Sequence, residues 1–371
     1  MILNLVSIII LLSSILTSAN PVAKRAPKHL SFPLEKVEIN ETSNDLNKRS
    51  SDVPLLNSYN WAYFANIAVG SNKTPLKVQI DTGSYSLWVP ENTTQDSLNQ
   101  FNPFKSKTFK NETKVYGAAY GGGASARGYF GNDDLWLPDG TKVPNYEFGV
   151  VNQYSRSIPF WGIGQGSKAE NYTITLAMKN AGLINHAGLS LDLSTDVNKK
   201  GNLLFGAIDK AKYEGDLTIL PLLPGGYIAG KSFTFSNGKV IDLKGDFLLD
   251  SGAAFIYMLK EWADPILTEL GGGKLDPDYN FDCSLRNENK NLTINLNGVD
   301  INIPYYDLFY QYGSTCKSTI AIGSKSMLGN SGLFGDTFLR YAYAAFSYEN
   351  NKVGIAQAVH NDETDIIDFY F

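Results

Sequence analysis

Lys77-Val78-Gln79-Ile80-Asp81-Thr82-Gly83-Ser84-Tyr85-Ser86-Leu87-Trp88-Val89 decides the fold, because the chain carries the pattern twice. Its twin is Gly245-Asp246-Phe247-Leu248-Leu249-Asp250-Ser251-Gly252-Ala253-Ala254-Phe255-Ile256-Tyr257. In each, a β-prone apolar run leads into Asp-(Thr/Ser)-Gly, and a second apolar run follows. A carboxylate directly after a buried strand is costly unless something binds or pairs it. The glycine lets the chain turn sharply, so that the side chain sits at a loop tip. One such tripeptide is weak evidence. Two of them, 169 residues apart in matching apolar frames, predict two similar lobes that each supply one carboxylate to a shared cleft.

The bulk numbers agree. At 371 residues the chain exceeds what one core usually serves, so two lobes are expected. An apolar content of 43% with 19% charged residues describes a globular protein. The wealth of Tyr, Phe, Gly, Thr, Val and Ile favours strands and turns. Helical periodicity is confined to residues 258–271 and 303–311, with a weaker stretch at 170–182.

Residues 1–19 read as a secretory signal peptide, with an apolar core from Leu3 to Leu16 and a small-residue cleavage site at Thr17-Ser18-Ala19. The uncharged start is atypical and leaves a membrane anchor as the alternative, although the core is short for a span. Residues 20–49 are polar and contain Lys24-Arg25 and Lys48-Arg49. They read as a propeptide cut by a dibasic processing protease after Lys48-Arg49, the alternative being two pairs of surface charges. Residues 1–49 hold six Lys/Arg and four Asp/Glu, so the remainder carries −7 against −5 for the whole chain. An acidic body argues against nucleic acid as a partner and suits work at acid pH.

Two cysteines, Cys283 and Cys316, are expected to pair in an exported chain. The bridge would close a 33-residue loop, worth about 3–4 kcal/mol by chain entropy. Glycosylation sequons stand at Asn40, Asn72, Asn92, Asn111, Asn171 and Asn291. The acidic, aromatic C-terminus from Asp362 to Phe371 shows no lipid-anchor signal.

Residues 59–90 alternate like a hairpin turning at Gly70-Ser71-Asn72-Lys73. Residues 113–138 hold the Gly-rich run Tyr120-Gly121-Gly122-Gly123, which predicts a hairpin tip. Near residue 212 the pattern resets, dividing the mature chain into lobes 50–212 and 213–371, and Leu217 to Leu223 reads as a strand able to link them. Asp81 lies 81 residues before Gly162, and Asp250 lies 85 before Gly335. That parallel spacing strengthens the duplication.

With these residues the chain resembles the pepsin-like aspartic proteases, and most closely the secreted yeast aspartic proteases of the candidapepsin type. The resemblance runs from about Asn60 to Ala358. It rests on Ile80-Asp81-Thr82-Gly83-Ser84 with Leu87-Trp88-Val89, on Tyr120-Gly121-Gly122-Gly123, on Leu249-Asp250-Ser251-Gly252, on Leu333-Phe334-Gly335-Asp336-Thr337-Phe338-Leu339-Arg340, and on Asn351-Lys352-Val353-Gly354-Ile355-Ala356. It implies a mostly β, bilobal pepsin-like fold with the active-site cleft between the lobes. It also implies a secreted endopeptidase made as a zymogen, acting on extended polypeptides and needing no cofactor. Asp81 and Asp250 would be the catalytic dyad. Thr82 and Ser251 match the residues that interlock the two loops, and Gly83 and Gly252 match those whose N–H groups donate to the carboxylates. Ser84 matches a donor to the first Asp. Tyr120, with Gly121 and Gly122, matches the flap that closes over substrate and reaches toward Trp88. The propeptide would act as inhibitor, with Lys28, His29 and Lys36 as candidates for pairing with the dyad. A monomer is expected.

Four departures from the family pattern stand out. Ala253 replaces the usual Thr and removes a hydroxyl donor from the second Asp. Gln79 stands where an aliphatic residue usually lines the wall beside the cut, which puts a purely hydrophobic preference in doubt. No cysteine precedes Cys283, so the first-lobe disulfide is absent, and Pro159 replaces a glycine.

Rival readings are weaker. Gly225 to Ser232 matches the G-x-x-x-x-G-K-S phosphate loop, but the alternating Phe233-Thr234-Phe235 follows instead of a helix. With only His186 and His360 after residue 49 and no G-x-S-x-G, a Ser or Cys nucleophile is not expected. No cluster has metal-ligand spacing. A glycosidase could use two carboxylates, but it would not need a duplicated Asp-Thr/Ser-Gly with a Gly-rich flap. The remaining alternative is a binding protein on the same fold with catalysis weakened or lost.

Overall fold

The computed structural model describes residues 28–38, 61–92, 99–156, 158–166, 173–195 and 201–371. Residues 1–19, read as a signal peptide, and the Lys48-Arg49 pair, read as a processing site, lie outside them, as do the sequons at Asn40 and Asn171. The architecture is mostly β and bilobal. A 13-stranded sheet holds most of the first half together with parts of the second, and a five-stranded and a four-stranded sheet complete the second half.

The first half is built on hairpins. Trp61–Val69 pairs with Thr74–Asp81 through the four-residue turn expected from the sequence, with Val69 opposite Thr74. Lys110–Ala119 and Ser125–Trp136 form a long hairpin whose tip is the single turn Gly121–Gly123. Strand Thr218–Pro221 joins the edge of the large sheet beside Lys352–Gln357, another strand of the second half. In the second half, Ser232–Phe235 is a strand paired with Val240–Asp242, which removes the helix that a phosphate loop would require.

The helices are short. Residues 258–271 contain Lys260–Leu270, whose apolar face (Ala263, Ile266, Leu267 and Leu270) is buried. Ile174–Asn180 is also helical. The helix expected over 303–311 is a single turn, Tyr305–Leu308, after which the chain extends into Phe309–Tyr312 and pairs with Thr315–Ser318. The aromatic run favours a pleated surface over a further helical turn. The disulfide between Cys283 and Cys316 is formed, with a Cα–Cα distance of 5.1 Å.

Residues 30–38, inside the stretch read as a propeptide, are an integral strand. Leu30–Glu38 pairs through residues 30–34 with Gly201–Phe205 and through residues 35–38 with the strand that begins at Trp61. Its inward side chains, Phe32 and Leu34, are 1% and 0% exposed. Lys28 and Lys36 hydrogen-bond to the carbonyls of Gly182 and Ser194 respectively. Neither bond is to the dyad. Among the sequons, Asn72, Asn111 and Asn291 are exposed, whereas Asn92 is only 9% exposed.

A buried polar network ties the two halves together at the back. Arg340 Nε lies 3.0 Å from Asp336 Oδ2, and Tyr63 donates its hydroxyl to Asp336 Oδ1 at 2.6 Å. Arg340 also faces Asp307 at 3.7 Å. Asp336 and Arg340 are 2% and 6% exposed. Removing one member of such a set leaves an uncompensated buried charge. Arg340→Met is therefore expected to cost about 3–5 kcal/mol of stability, read by urea unfolding. Arg340→Met with Asp336→Asn should recover part of that loss, because the carboxylate no longer needs a counter-charge.

Candidate active site

The two Asp-(Thr/Ser)-Gly loops are delivered by equivalent strand pairs. Thr74–Asp81 lies parallel to Phe160–Gly162, with Gln79 opposite Phe160 and Asp81 opposite Gly162. Asp246–Leu249 lies parallel to Gly332–Phe334 in the same way and hands the chain on to Asp250. The Asp250 N–H donates to the Phe334 carbonyl at 3.0 Å. Val78, Ile80, Phe247 and Leu249 are at most 1% exposed, so each carboxylate is fixed by a strand that cannot slip without exposing its apolar residues.

The loops are locked to each other. The Thr82 hydroxyl donates to the Leu249 carbonyl at 2.7 Å and accepts from the Ser251 N–H at 2.9 Å. The Ser251 hydroxyl donates to the Ile80 carbonyl at 3.3 Å and accepts from the Thr82 N–H at 3.0 Å. Both side chains are buried, so each hydroxyl satisfies its own polarity and that of the opposite loop. The loops approach so closely that a Cβ on Gly83 would lie 2.6 Å from Asp250 Cγ, and one on Gly252 would lie 2.7 Å from Asp81 Oδ1.

That approach places the Asp81 and Asp250 carboxyl groups within hydrogen-bonding distance of each other. Asp81 is 4% exposed, while Asp250 keeps more exposure and opens the pair to solvent. Asp81 Oδ1 accepts the Gly83 N–H at 2.9 Å, and Oδ2 accepts the Ser84 hydroxyl at 2.5 Å. Asp250 Oδ1 accepts the Gly252 N–H at 2.8 Å, the Gly83 N–H also faces this carboxyl, and Ala253 offers no hydroxyl. Burial raises the pKa of both acids. For Asp81 the Ser84 hydroxyl and the Asp250 carboxyl pull it back. Asp250 is pushed up further, by burial first and then by the negative charge of Asp81. The two acids therefore titrate as a pair that shares one proton, with the stronger upward push on Asp250.

The hairpin tip covers this pair. Tyr120 begins the Gly121–Gly123 turn, and its N–H donates to the Ala124 carbonyl at 2.8 Å. Its ring packs 4.5 Å from that of Phe160. Burial raises the Tyr120 pKa, so the hydroxyl remains a donor. That hydroxyl nears the Trp88 indole N–H and the Tyr116 hydroxyl without forming a well-aligned bond to either. Trp88 is fully buried. The Tyr116 hydroxyl is 3.0 Å from Ser86 Oγ, which supports the flap from below.

Three residues here lie outside the sequence reading. Tyr116 is one. Met327, from the second half, is another: its Cε would lie 3.0 Å from a Cβ placed on Gly121, so the flap tip touches the facing loop. The third is Arg156, whose Nη2 donates to Gln79 Oε1 at 2.8 Å, while Gln79 Nε2 donates to the Gly252 carbonyl at 3.3 Å. None stands in a recognisable motif: Tyr116 lies on the first flap strand, Met327 on the short helix Lys325–Leu328, and Arg156 just after the strand that ends at Tyr154. Pro159, despite replacing a glycine, keeps the local register, because its carbonyl accepts the Gln79 N–H at 2.9 Å. Among the described residues there is no cluster of His, Cys, Asp and Glu able to hold a metal ion.

The chain is 29% identical to secreted aspartic protease 10 of Candida albicans over 368 residues, covering 89% of this chain and 80% of that protein. It is 28% identical to secreted aspartic protease 5 of the same organism, covering 93% and 88%. It is 30% identical over 339 residues to an acid protease of Saccharomycopsis fibuligera, covering 82% and 83%. The eukaryotic aspartyl protease family profile matches residues 62–358, and the chain belongs to that family.

Proposed function

We propose that the protein is a secreted aspartic endopeptidase, made as a zymogen, that hydrolyses peptide bonds in extended polypeptides at acid pH. The observation that carries this reading is the Asp81–Asp250 contact, formed by two mutually locked loops beneath a tyrosine-tipped hairpin. Secretion is supported by the signal-like first 19 residues and by the printed names of the Candida relatives. No helix among the described residues is long and apolar enough to cross a membrane.

On this reading each acid has a part. A water held between the carboxyl oxygens is deprotonated by Asp81 as it attacks the peptide carbonyl carbon, and Asp250 donates its proton to the carbonyl oxygen. A tetrahedral diol forms. Asp81, now protonated, delivers its proton to the leaving nitrogen, while Asp250 takes one back from a diol hydroxyl, and the C–N bond breaks. Such alternation of one proton between two acids is the established behaviour of dyads in this family. Closure of the Tyr120 flap excludes bulk water and aligns the peptide.

Asp81→Asn is expected to lose cleavage of denatured globin at pH 3–6 by about 10²–10⁴-fold or more, and a statine-type inhibitor should abolish wild-type cleavage. A wild-type protein that binds the inhibitor yet cleaves nothing would instead support a binding role. Ala253→Thr adds a donor to Asp250, worth about 1.5–3 kcal/mol for a charged acceptor. Its pH–rate optimum should move down by about one pH unit, and an unmoved or higher optimum would refute this role for Ala253.

The raised acids also make a stability prediction. Below the unfolded Asp pKa of about 3.9 the pair is protonated in both states, and its contribution is fully present. As pH rises, the unfolded chain ionises first, and the contribution is lost through the raised folded values. Asp250→Asn escapes most of that loss. Its melting temperature relative to wild type should therefore climb by several degrees between pH 3.5 and 6.5, at about 2–4 °C per kcal/mol, as read by scanning calorimetry.

A further inference from the structure

We propose that Arg156 and Gln79 form a recognition site for the carboxylate of an Asp or Glu side chain in the substrate residue adjoining the scissile bond. This rests on the endopeptidase reading and specifies its substrate class. Gln79 precedes Asp81 by two residues on the same face of its strand, about 7 Å along the chain. Whatever it holds therefore lies next to the cut rather than at a remote subsite.

Three observations converge. First, the Gln79 amide is held in one orientation. Its nitrogen donates to the Gly252 carbonyl, which leaves its oxygen for the Arg156 guanidinium. Gln79 is 4% exposed, so this is a built polar contact rather than a surface encounter. Second, the guanidinium is braced. Its carbon lies 4.0 Å from the Phe160 ring centroid, and Phe160 in turn packs against Tyr120. Arg156 thus stands at the foot of the flap, within the field of Asp81. Third, among the described residues its charge has no counter-ion. Among the described residues no carboxylate lies within ion-pair distance of Arg156, and the Gln79 oxygen is its only hydrogen-bond acceptor. The nearest negative charge, on Asp81, is already engaged by Ser84 and Gly83.

A partly buried cation with free N–H groups is uncomfortable until a carboxylate arrives. The guanidinium fork suits a carboxylate with two parallel hydrogen bonds. The Phe160 and Tyr120 rings would flank the methylene stem of a Glu or Asp, and a neutral apolar side chain would use the same rings without reaching Arg156. The site therefore adds acidic residues to the cleavable set while keeping apolar ones.

The test is a peptide series with Glu, Gln, Leu or Lys placed in turn on each side of one scissile bond, assayed with the mature enzyme. On one side, Glu should exceed Gln in kcat/KM by about tenfold to a hundredfold at pH 5.5, the range of a hydrogen-bonded charged pair. The ratio should fall toward one below about pH 4, where the substrate carboxyl protonates. The titratable groups facing Arg156 are Asp81 and Tyr120, and both act equally on the Glu and Gln peptides, so the ratio cancels them. Arg156→Ala should remove the Glu preference, bringing the Glu-to-Gln ratio of kcat/KM to about one at pH 5.5, and Arg156→Glu should favour Lys over Leu. Glu- and Gln-containing statine peptides bound to the Asp81→Asn variant read the same discrimination without turnover. An enzyme that cleaves the Leu peptide yet treats Glu and Gln alike overturns the site and leaves the endopeptidase reading intact. Equal slowing of all peptides by Arg156→Ala, with a shifted pH profile, also overturns it, because Arg156 would then act on the dyad alone.

Discussion

Two carboxylic acids held against each other at the junction of the two halves constrain nearly everything else in the molecule. Neither would stay at its loop tip unaided, because like charges repel and burial penalises both. The loops are held by four hydrogen bonds between Thr82 and Ser251 and the opposite backbone. Those bonds in turn require the strands behind them to arrive in a fixed register, which the buried apolar residues of each strand impose. The duplicated sequence pattern is the visible trace of that requirement: one acid cannot be placed this way unless the other is placed by the same means.

The same seam is tied again on the far side. Asp336 follows Gly335, next to the strand that supports Asp250, and it takes its hydroxyl donor from Tyr63, on the strand paired with the one that ends in Asp81. The dyad's geometry is thus bracketed by two polar contacts that cross between halves, one at the loop tips and one in the core. The asymmetry within the dyad is local by comparison. It comes from Ser84 on one side and Ala253 on the other.

The parts of this site that the sequence disclosed share one property: they sit in short contiguous motifs whose chemistry needs neighbours in the chain. Asp81-Thr82-Gly83-Ser84 and Asp250-Ser251-Gly252 are of that kind, and so is the Tyr120 tip. The spacing from each Asp to Gly162 and Gly335 was also legible, and the parallel pairing of Asp81 with Gly162 explains it. Arg156 and Met327 were not legible, because each meets its partner only through folding: Arg156 lies 77 positions from Gln79, and Met327 reaches the flap from the other half. The helix expected over 303–311 ended early for a related reason, since Phe309 and Tyr310 find a strand partner at Lys317 and Ser318 that local periodicity does not announce.

Leu30–Glu38 sits between two neighbours, Gly201–Phe205 on one part of its length and the strand from Trp61 on the other. Hydrolysis of the backbone after Arg49 would alter connectivity while leaving that strand seated as a guest peptide, held by backbone pairing and by Phe32 and Leu34 in the core. Its departure would open bare edges on both neighbours at once, a cost that rises in a single step rather than residue by residue. In a chain cut there, hydrolysis and the departure of residues 30–38 would be separate events, with separate rates.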